Sequence, residues 1–106
     1  MNIEQLRDYC LSKSGVEESF PFDADTLVFK VRGKIFCLTN LSNDVFSFSV
    51  KCNPEYAIEL REQYLAVQPG YHLNKKHWNT ILVDGTLFDS MLHRFVDDSY
   101  DLVSKK

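Results

Sequence analysis

Residues 26–51 contain three strand-like segments in close succession, and this block constrains the fold more than any other part of the chain. The segments are residues 26–31, 34–39 and 45–51. In the first, Leu27 and Phe29 alternate with Val28 and Lys30, which is the period of a strand whose two faces differ. Arg32 followed by glycine is a tight-hairpin signal between the first two segments. The block therefore predicts an antiparallel sheet with one face turned towards a core.

Three helical segments surround this block. They are predicted at residues 3–14, 53–64 and 87–103. Asn2 is placed as an N-cap with Gln5 three residues later, as in a capping box, and Gly15 is a natural C-terminal stop. Asn53 followed by Pro54 starts the second helix in the same way, with a capping side chain and a proline in the first turn.

The remaining segments complete one domain covering residues 1–106. Residues 16–25 are acidic, contain a proline and are predicted to form a loop. Residues 78–83 are predicted to form a strand, and residues 67–73 a turn or an edge strand, because Pro69 interrupts them. Strands in a block, joined by hairpins and flanked by helices, indicate an α+β domain. We expect two layers, an antiparallel sheet of about five strands with helices packed on one face.

No apolar run approaches the roughly 20 residues of a membrane helix, so no membrane partner is expected. The first residues lack the basic and apolar regions of a signal peptide, which favours a cytoplasmic location. The cysteines are Cys10, Cys37 and Cys52, an odd number without a CxxC pair. We expect buried free thiols rather than disulfides or a zinc site. Cys52 lies just before a helix start, where the pKa of a thiol can be lowered.

The charges are segregated along the chain, although the formal net charge is only -3. Residues 26–52 contain four bases and one acid, and residues 66–83 contain two bases and no acid. The predicted helices and the N-terminal region carry the excess of acids. In a two-layer fold this pattern predicts a basic sheet face and an acidic helical layer, a field that orients a protein on a polyanion. The alternative is that the lysines only blunt sheet edges.

Residues 69–80 combine two histidines, two lysines, two asparagines and the single tryptophan, and contain no acid. His72 and His77 are five residues apart and have no carboxylate nearby, which disfavours a metal site. Trp78 is either a core residue or an exposed stacking platform. The chain has no GxSxG, SxxK, GxGxxG or GxxxxGK[ST] motif. We therefore expect no enzymatic activity and no cofactor.

Several of these stretches resemble the YjbR/MmcQ-like family of small bacterial proteins. The matching stretches include Lys51-Cys52-Asn53-Pro54-Glu55, His72-Leu73-Asn74-Lys75-Lys76-His77-Trp78 and Asp84-Gly85. The resemblance implies the element order α-β-β-β-α-β-β-α, a fold similar to secretion chaperones. It also implies a double-wing-like module that is commonly predicted to bind DNA.

Two functions remain open from the sequence. The first is a DNA-binding module in which the hairpin at Arg32 acts as a wing and the polar stretches meet phosphates and bases. Its candidate residues are Arg32, Lys34, Lys51, His72, Asn74, Lys75, Lys76, His77, Trp78 and Asn79. The alternative is a protein-interaction or chaperone-like module, monomeric or weakly dimeric, that takes a partner segment by strand addition or groove packing. A weaker third option is a small anionic ligand near Cys52, His72 and Trp78.

Overall fold

A computed structural model describes residues 1–105 and contains one sheet covered by helices on one side. The elements, in chain order, are α1 (Ile3–Leu11), β1 (Val16–Ser19), β2 (Thr26–Val31), β3 (Lys34–Asn40), β4 (Ser47–Lys51), α2 (Pro54–Gln63), β5 (Val67–Pro69), β6 (Trp78–Leu82) and α3 (Asp89–Ser104). The strand order across the sheet is β1-β2-β3-β4-β6-β5, and every pair is antiparallel. The predicted α+β class and the element pattern are confirmed, with one strand more than expected.

The starts of α1 and α2 follow the capping residues predicted from the sequence. Asn2 and Gln5 form a reciprocal capping box at α1, and the Asn53 side chain accepts hydrogen bonds from the first turn of α2. These caps satisfy backbone N–H groups that have no partner inside the helix. The first helix ends at Leu11, three residues earlier than predicted, and a turn leads into Gly15 with φ of 74°.

The core lies between the helices and one face of the sheet. Phe29 on β2 and Val50 on β4 point into it, as the strand alternation predicted, and Ile81 on β6 does so as well. A register shift between β2 and β3 adds a residue to β3, so that Phe36 is also fully buried. The hydroxyl of Ser99 on α3 donates to the Phe36 carbonyl at 2.5 Å and accepts from the backbone N–H of β4 at 2.8 Å.

The predicted loop at residues 16–25 is partly wrong, because Val16–Ser19 form an edge strand. The strand pairs with β2 from Val16 opposite Val31 to Ser19 opposite Val28. Two glutamates occupy its centre, and Glu18 forms an ion pair with Arg7 of α1 at 2.7 Å. Acidic residues have low strand propensity, so the sequence did not predict this strand. They suit an edge strand, because their charges discourage pairing with another chain. At the other edge, β5 confirms the edge strand, one of the two alternatives for residues 67–73.

Candidate functional site

The face of the sheet that carries no helix contains a concavity. Its floor is formed by outward-facing side chains of three adjacent strands: Leu38, Ser47, Ser49, Thr80 and Leu82. We call this concavity the sheet groove; its volume is 880 Å³. The inward neighbours of the floor residues are bulky core side chains, while the floor itself has two serines and a threonine. Small side chains therefore open a trough over the middle of the sheet.

Two of the three floor hydroxyl groups, those of Ser49 and Thr80, are already hydrogen-bonded within the protein. The Oγ of Ser49 and the Oγ1 of Thr80 lie 2.8 Å apart on neighbouring strands. Thr80 Oγ1 also accepts a hydrogen bond from the backbone N–H of Tyr71 at 3.1 Å. Because these groups are satisfied, an apolar side chain can contact this part of the floor without leaving a buried polar atom unpaired.

Two loops form the walls of the sheet groove. One is the β1–β2 loop, which contributes Phe22 and Asp23; the other is the β5–β6 loop, which contributes Tyr71, His72 and Leu73. The Phe22 and Tyr71 side chains are 66% and 70% exposed. The His72 ring lies 4.0 Å from that of Tyr71, centroid to centroid, and its backbone has a positive φ of 57°. Exposed aromatic rings beside a concave surface are typical of a binding site.

The two walls differ in charge. Asp23 accepts hydrogen bonds from the backbone N–H groups of Asp25 and Thr26 at 2.9 and 2.7 Å, and these bonds lower the pKa of its carboxyl group. Its carboxylate is thus engaged within its own loop. On the opposite wall, the Lys75 ammonium donates to the carbonyl of Gly70 at 3.2 Å. An ammonium has three donors, so that two remain for another partner.

Arg61 of α2 fixes the β5–β6 loop in place. Its Nε donates to Asn79 Oδ1 at 2.6 Å, and its Nη2 donates to the carbonyl of Trp78 at 3.1 Å and to that of Lys75. Gly70 completes the closure: a Cβ at this position would lie 2.7 Å from the Cβ of Trp78. Such a separation is too short for two carbon atoms, so only glycine fits here without movement of the chain.

Two of the residues proposed to bind DNA are buried in the structure. Asn79 is 1% exposed and serves as a buried partner of Arg61, and Trp78 is 9% exposed. Asn74 forms a turn by accepting from the N–H of Lys76 at 2.9 Å. Trp78 and Asn79 thus serve the packing of the loop, whereas Asn74 is exposed and combines a turn-forming oxygen with an accessible side chain.

The remaining candidates separate into two groups. His72 and Lys75 line the sheet groove. Arg32 and Lys34 are exposed at the β2–β3 turn, at the other end of the sheet from the floor residues. Outside both groups, the Lys51 ammonium lies 5.8 Å from the centre of the Trp78 ring, and Lys76 and His77 are exposed in the β5–β6 loop. The candidate bases therefore lie at the groove, at the β2–β3 turn and beside the largely buried indole.

The expectation of a lowered thiol pKa at Cys52 is wrong. Burial raises the pKa of the Cys52 thiol to about 11, assisted by the nearby Asp98 carboxylate and opposed by Arg61. The crevice beside it is lined by Lys51 and Tyr56, has neither His72 nor Trp78 in its lining, and has a volume of only 10 Å³. The three residues of the proposed anion pocket thus do not converge. All three cysteines are free and buried, as predicted.

Residues 1–105 contain no group of three or more His, Cys, Asp or Glu side chains placed to hold a metal ion. None of the helices in this range combines the length and the apolar character needed to cross a bilayer.

Sequence reasoning missed the walls of the sheet groove and the role of Arg61. The alternation in β4 shows that the serines at positions 47 and 49 face outward. Their small size, next to bulky inward residues, was the one local signal that this face is concave. No local pattern indicated that Phe22 and Tyr71 flank the same trough, because their loops are separated by about half of the chain.

Comparisons with known proteins agree with this fold. The family model YjbR matches residues 11–102. The uncharacterised protein YjbR of Escherichia coli K12 is 39% identical over 100 residues, covering 94% of this chain and 85% of its own. The uncharacterised protein YbdF of Escherichia coli O157:H7 is 34% identical, covering 94% and 82%.

Two solved structures are also similar. The crystal structure of Deinococcus radiodurans protein DR2400, with the family-model domain DUF419, has a TM-score of 0.93 and 41% identity, covering 99% of this chain and 80% of that one. A crystal structure of a Pseudomonas syringae protein has a TM-score of 0.85 and 29% identity, covering 97% and 99%.

Proposed function

The chain belongs to the YjbR family, and from that premise we propose that it is a protein-interaction module whose sheet groove receives an extended segment of a partner protein. The observation that carries this proposal is the groove itself: an 880 Å³ trough with a hydroxyl and leucine floor between exposed aromatic walls. Its volume lies in the range of established ligand sites. A helix-free sheet face that is both concave and partly apolar is a surface suited to packing against another chain.

Groove packing is favoured over strand addition at a sheet edge. Strand addition needs an edge with several free backbone groups in a row. The edge strand β1 has four residues with two central glutamates, and β5 has three residues ending in Pro69, which lacks an N–H donor. Both edges are thus poor templates, and the sheet groove is the larger surface.

Selection from a random library of twelve-residue peptides displayed on phage tests this function. We expect peptides enriched on the wild-type protein to lose binding to Leu38→Asp, because a carboxylate on the floor opposes apolar side chains. Leu102→Asp is the matched control, since Leu102 is 45% exposed on α3, away from the groove. Peptides that bind wild type and Leu38→Asp equally would contradict the proposal, as would a selection that enriches nothing. Thermal unfolding of each variant verifies that it is folded.

DNA binding is a second candidate, supported by Arg32 and Lys34. Both are exposed at a hairpin turn, and neither has an ion pair within the described part of the chain. If this hairpin meets phosphates, Arg32→Ala together with Lys34→Ala lowers affinity for a 20-base-pair duplex uniformly across sequences. The slope of log affinity against log salt should become shallower by about one unit for each phosphate that the variant no longer neutralises. A wild-type protein without salt-sensitive binding at low ionic strength rules this candidate out.

A further inference from the structure

We infer that the segment received by the sheet groove is acidic and apolar, with a carboxylate seated at Lys75; this inference rests on the proposed function. The two ends of the sheet groove differ in charge and in side-chain type. Its β5–β6 wall presents the Lys75 ammonium and the His72 imidazole, and its β1–β2 wall presents Phe22 beside the engaged carboxylate of Asp23. A bound chain is therefore given a direction as well as a surface.

The length of the sheet groove suits an extended peptide. Its lining reaches from Thr26 on β2 to Gln68 on β5 and crosses β3, β4 and β6. Four spacings between neighbouring strands amount to roughly 19 Å. An extended chain covers that distance with about six residues. A peptide of this length reaches from one wall to the other.

The charge at the β5–β6 end selects an anionic group. Lys75 is the only lysine or arginine that lines the sheet groove in the described residues, and the only acid in the lining is Asp23, on the opposite wall. The hydrogen bonds from Asp25 and Thr26 hold the Asp23 carboxylate in its own loop, and it forms no ion pair with Lys75 among the described residues. A carboxylate beside Lys75 gains a charge-assisted hydrogen bond, whereas a second cation there is repelled.

The lining also favours a polypeptide over an acyl chain. Amide side chains of Asn40, Asn43 and Gln68 lie among the leucines. Asn40 Oδ1 already accepts from Ser42, and Gln68 Nε2 already donates to the Leu65 carbonyl, so a ligand is offered the Asn40 amino group and the Gln68 carbonyl oxygen. A peptide backbone has N–H and C=O groups that pair with these amides, and its apolar side chains contact Leu38 and Leu82. An acyl chain would cover the same amides without offering them a partner, which costs free energy.

Two measurements test this inference: the amino-acid composition of the enriched peptides, and their binding to two variants that each lack one lysine of the β5–β6 loop. We expect aspartate and glutamate to be enriched over lysine and arginine in twelve-residue peptides selected on the wild-type protein. Lys75→Gln should weaken binding of the acidic peptides about threefold, the effect of a partly exposed ion pair. Lys76→Gln is the matched control, because this substitution removes the same charge from the same loop at a position that does not line the groove.

The outcomes separate this inference from the function on which it rests. Peptides that require an intact Leu38 but show no acidic bias overturn the inference and leave the proposed function standing. Equal weakening by Lys75→Gln and Lys76→Gln also overturns it, since only the general field of the loop would then matter. Enriched peptides that ignore Leu38→Asp contradict the proposed function itself.

Discussion

At the scale of single residues, Arg61 links the helical layer to the wall of the sheet groove. Its guanidinium donates hydrogen bonds to the Asn79 side chain and to two backbone carbonyls of the β5–β6 loop. The Nε–Oδ1 distance to Asn79 is 2.6 Å, and the Nη2–O distance to Trp78 is 3.1 Å. Asn79 is 1% exposed, so its oxygen has no access to water. The loop thus keeps its shape because one side chain satisfies three acceptors.

Replacing Arg61 should destabilise the protein more than its surface position suggests. We expect Arg61→Ala to lower the free energy of unfolding by about 2 kcal/mol, because a buried acceptor on Asn79 loses its charged donor. Glu59→Ala, at an exposed position of the same helix, should change it by less than about 0.5 kcal/mol. Urea denaturation measures both values. An Arg61→Ala variant as stable as Glu59→Ala would show that the loop does not depend on this contact.

The sequence did not decide the roles of Trp78 and Asn79. Both stand in a stretch rich in polar side chains, where exposure and burial fit equally well. Burial is decided by β6, which lies between two strands and turns Asn79 towards α2. A buried asparagine needs a partner from another element, and such a partner is not visible in the local sequence.

At the scale of elements, α1 and α3 are joined by a cluster around Asp97. Its carboxylate accepts from the Tyr9 hydroxyl at 2.6 Å and from the Lys13 ammonium at 2.5 Å. Partial burial raises the pKa of the Asp97 carboxyl, but the hydrogen bonds from Lys13 and Tyr9 outweigh it, and the pKa lies below its ordinary value. The ionised form therefore stabilises the contact between the two helices.

The contact should weaken in acid. Because the folded-state pKa of Asp97 is lowered, its contribution is complete above the unfolded value of about 3.9 and is lost as the pH falls through the folded value. We expect Asp97→Asn to be less stable than wild type at pH 6, with the difference disappearing towards pH 2. Asp101→Asn, exposed on the same helix, is the control. A difference in urea midpoint that stays constant with pH would contradict this assignment.

Most elements could be predicted because their signals are local. The alternation in β2 and β4 and the caps at Asn2 and Asn53 each fall within a few residues. The edge strand β1 was not predicted because its two glutamates suit a strand only at the edge of a sheet. No local sequence pattern shows that a segment lies at an edge. The sheet groove was missed for a related reason: it is formed by separate strands and loops, and its small floor residues are inconspicuous in the sequence.

At the scale of the whole molecule, the acidic helical layer and the bases of the sheet do not form two clean faces. Lys30 and Lys51 lie on the helix-free side by strand register, but Lys34 pairs with Val31 on the other side. Lys30 also stands opposite Glu17 of β1. The predicted basic face is thus interrupted, while the sheet groove is continuous. This contrast is why we place groove binding before polyanion binding.

An NMR titration shows whether the helix-free face binds a partner segment. Peptides enriched by phage display are added to the ¹⁵N-labelled protein, and the shifts of its backbone amides are followed. We expect the largest shifts at the floor residues Leu38, Ser49 and Thr80 and at the wall residue Tyr71, with little change along α3. Shifts concentrated on the helical layer or at the Arg32 turn would contradict this expectation.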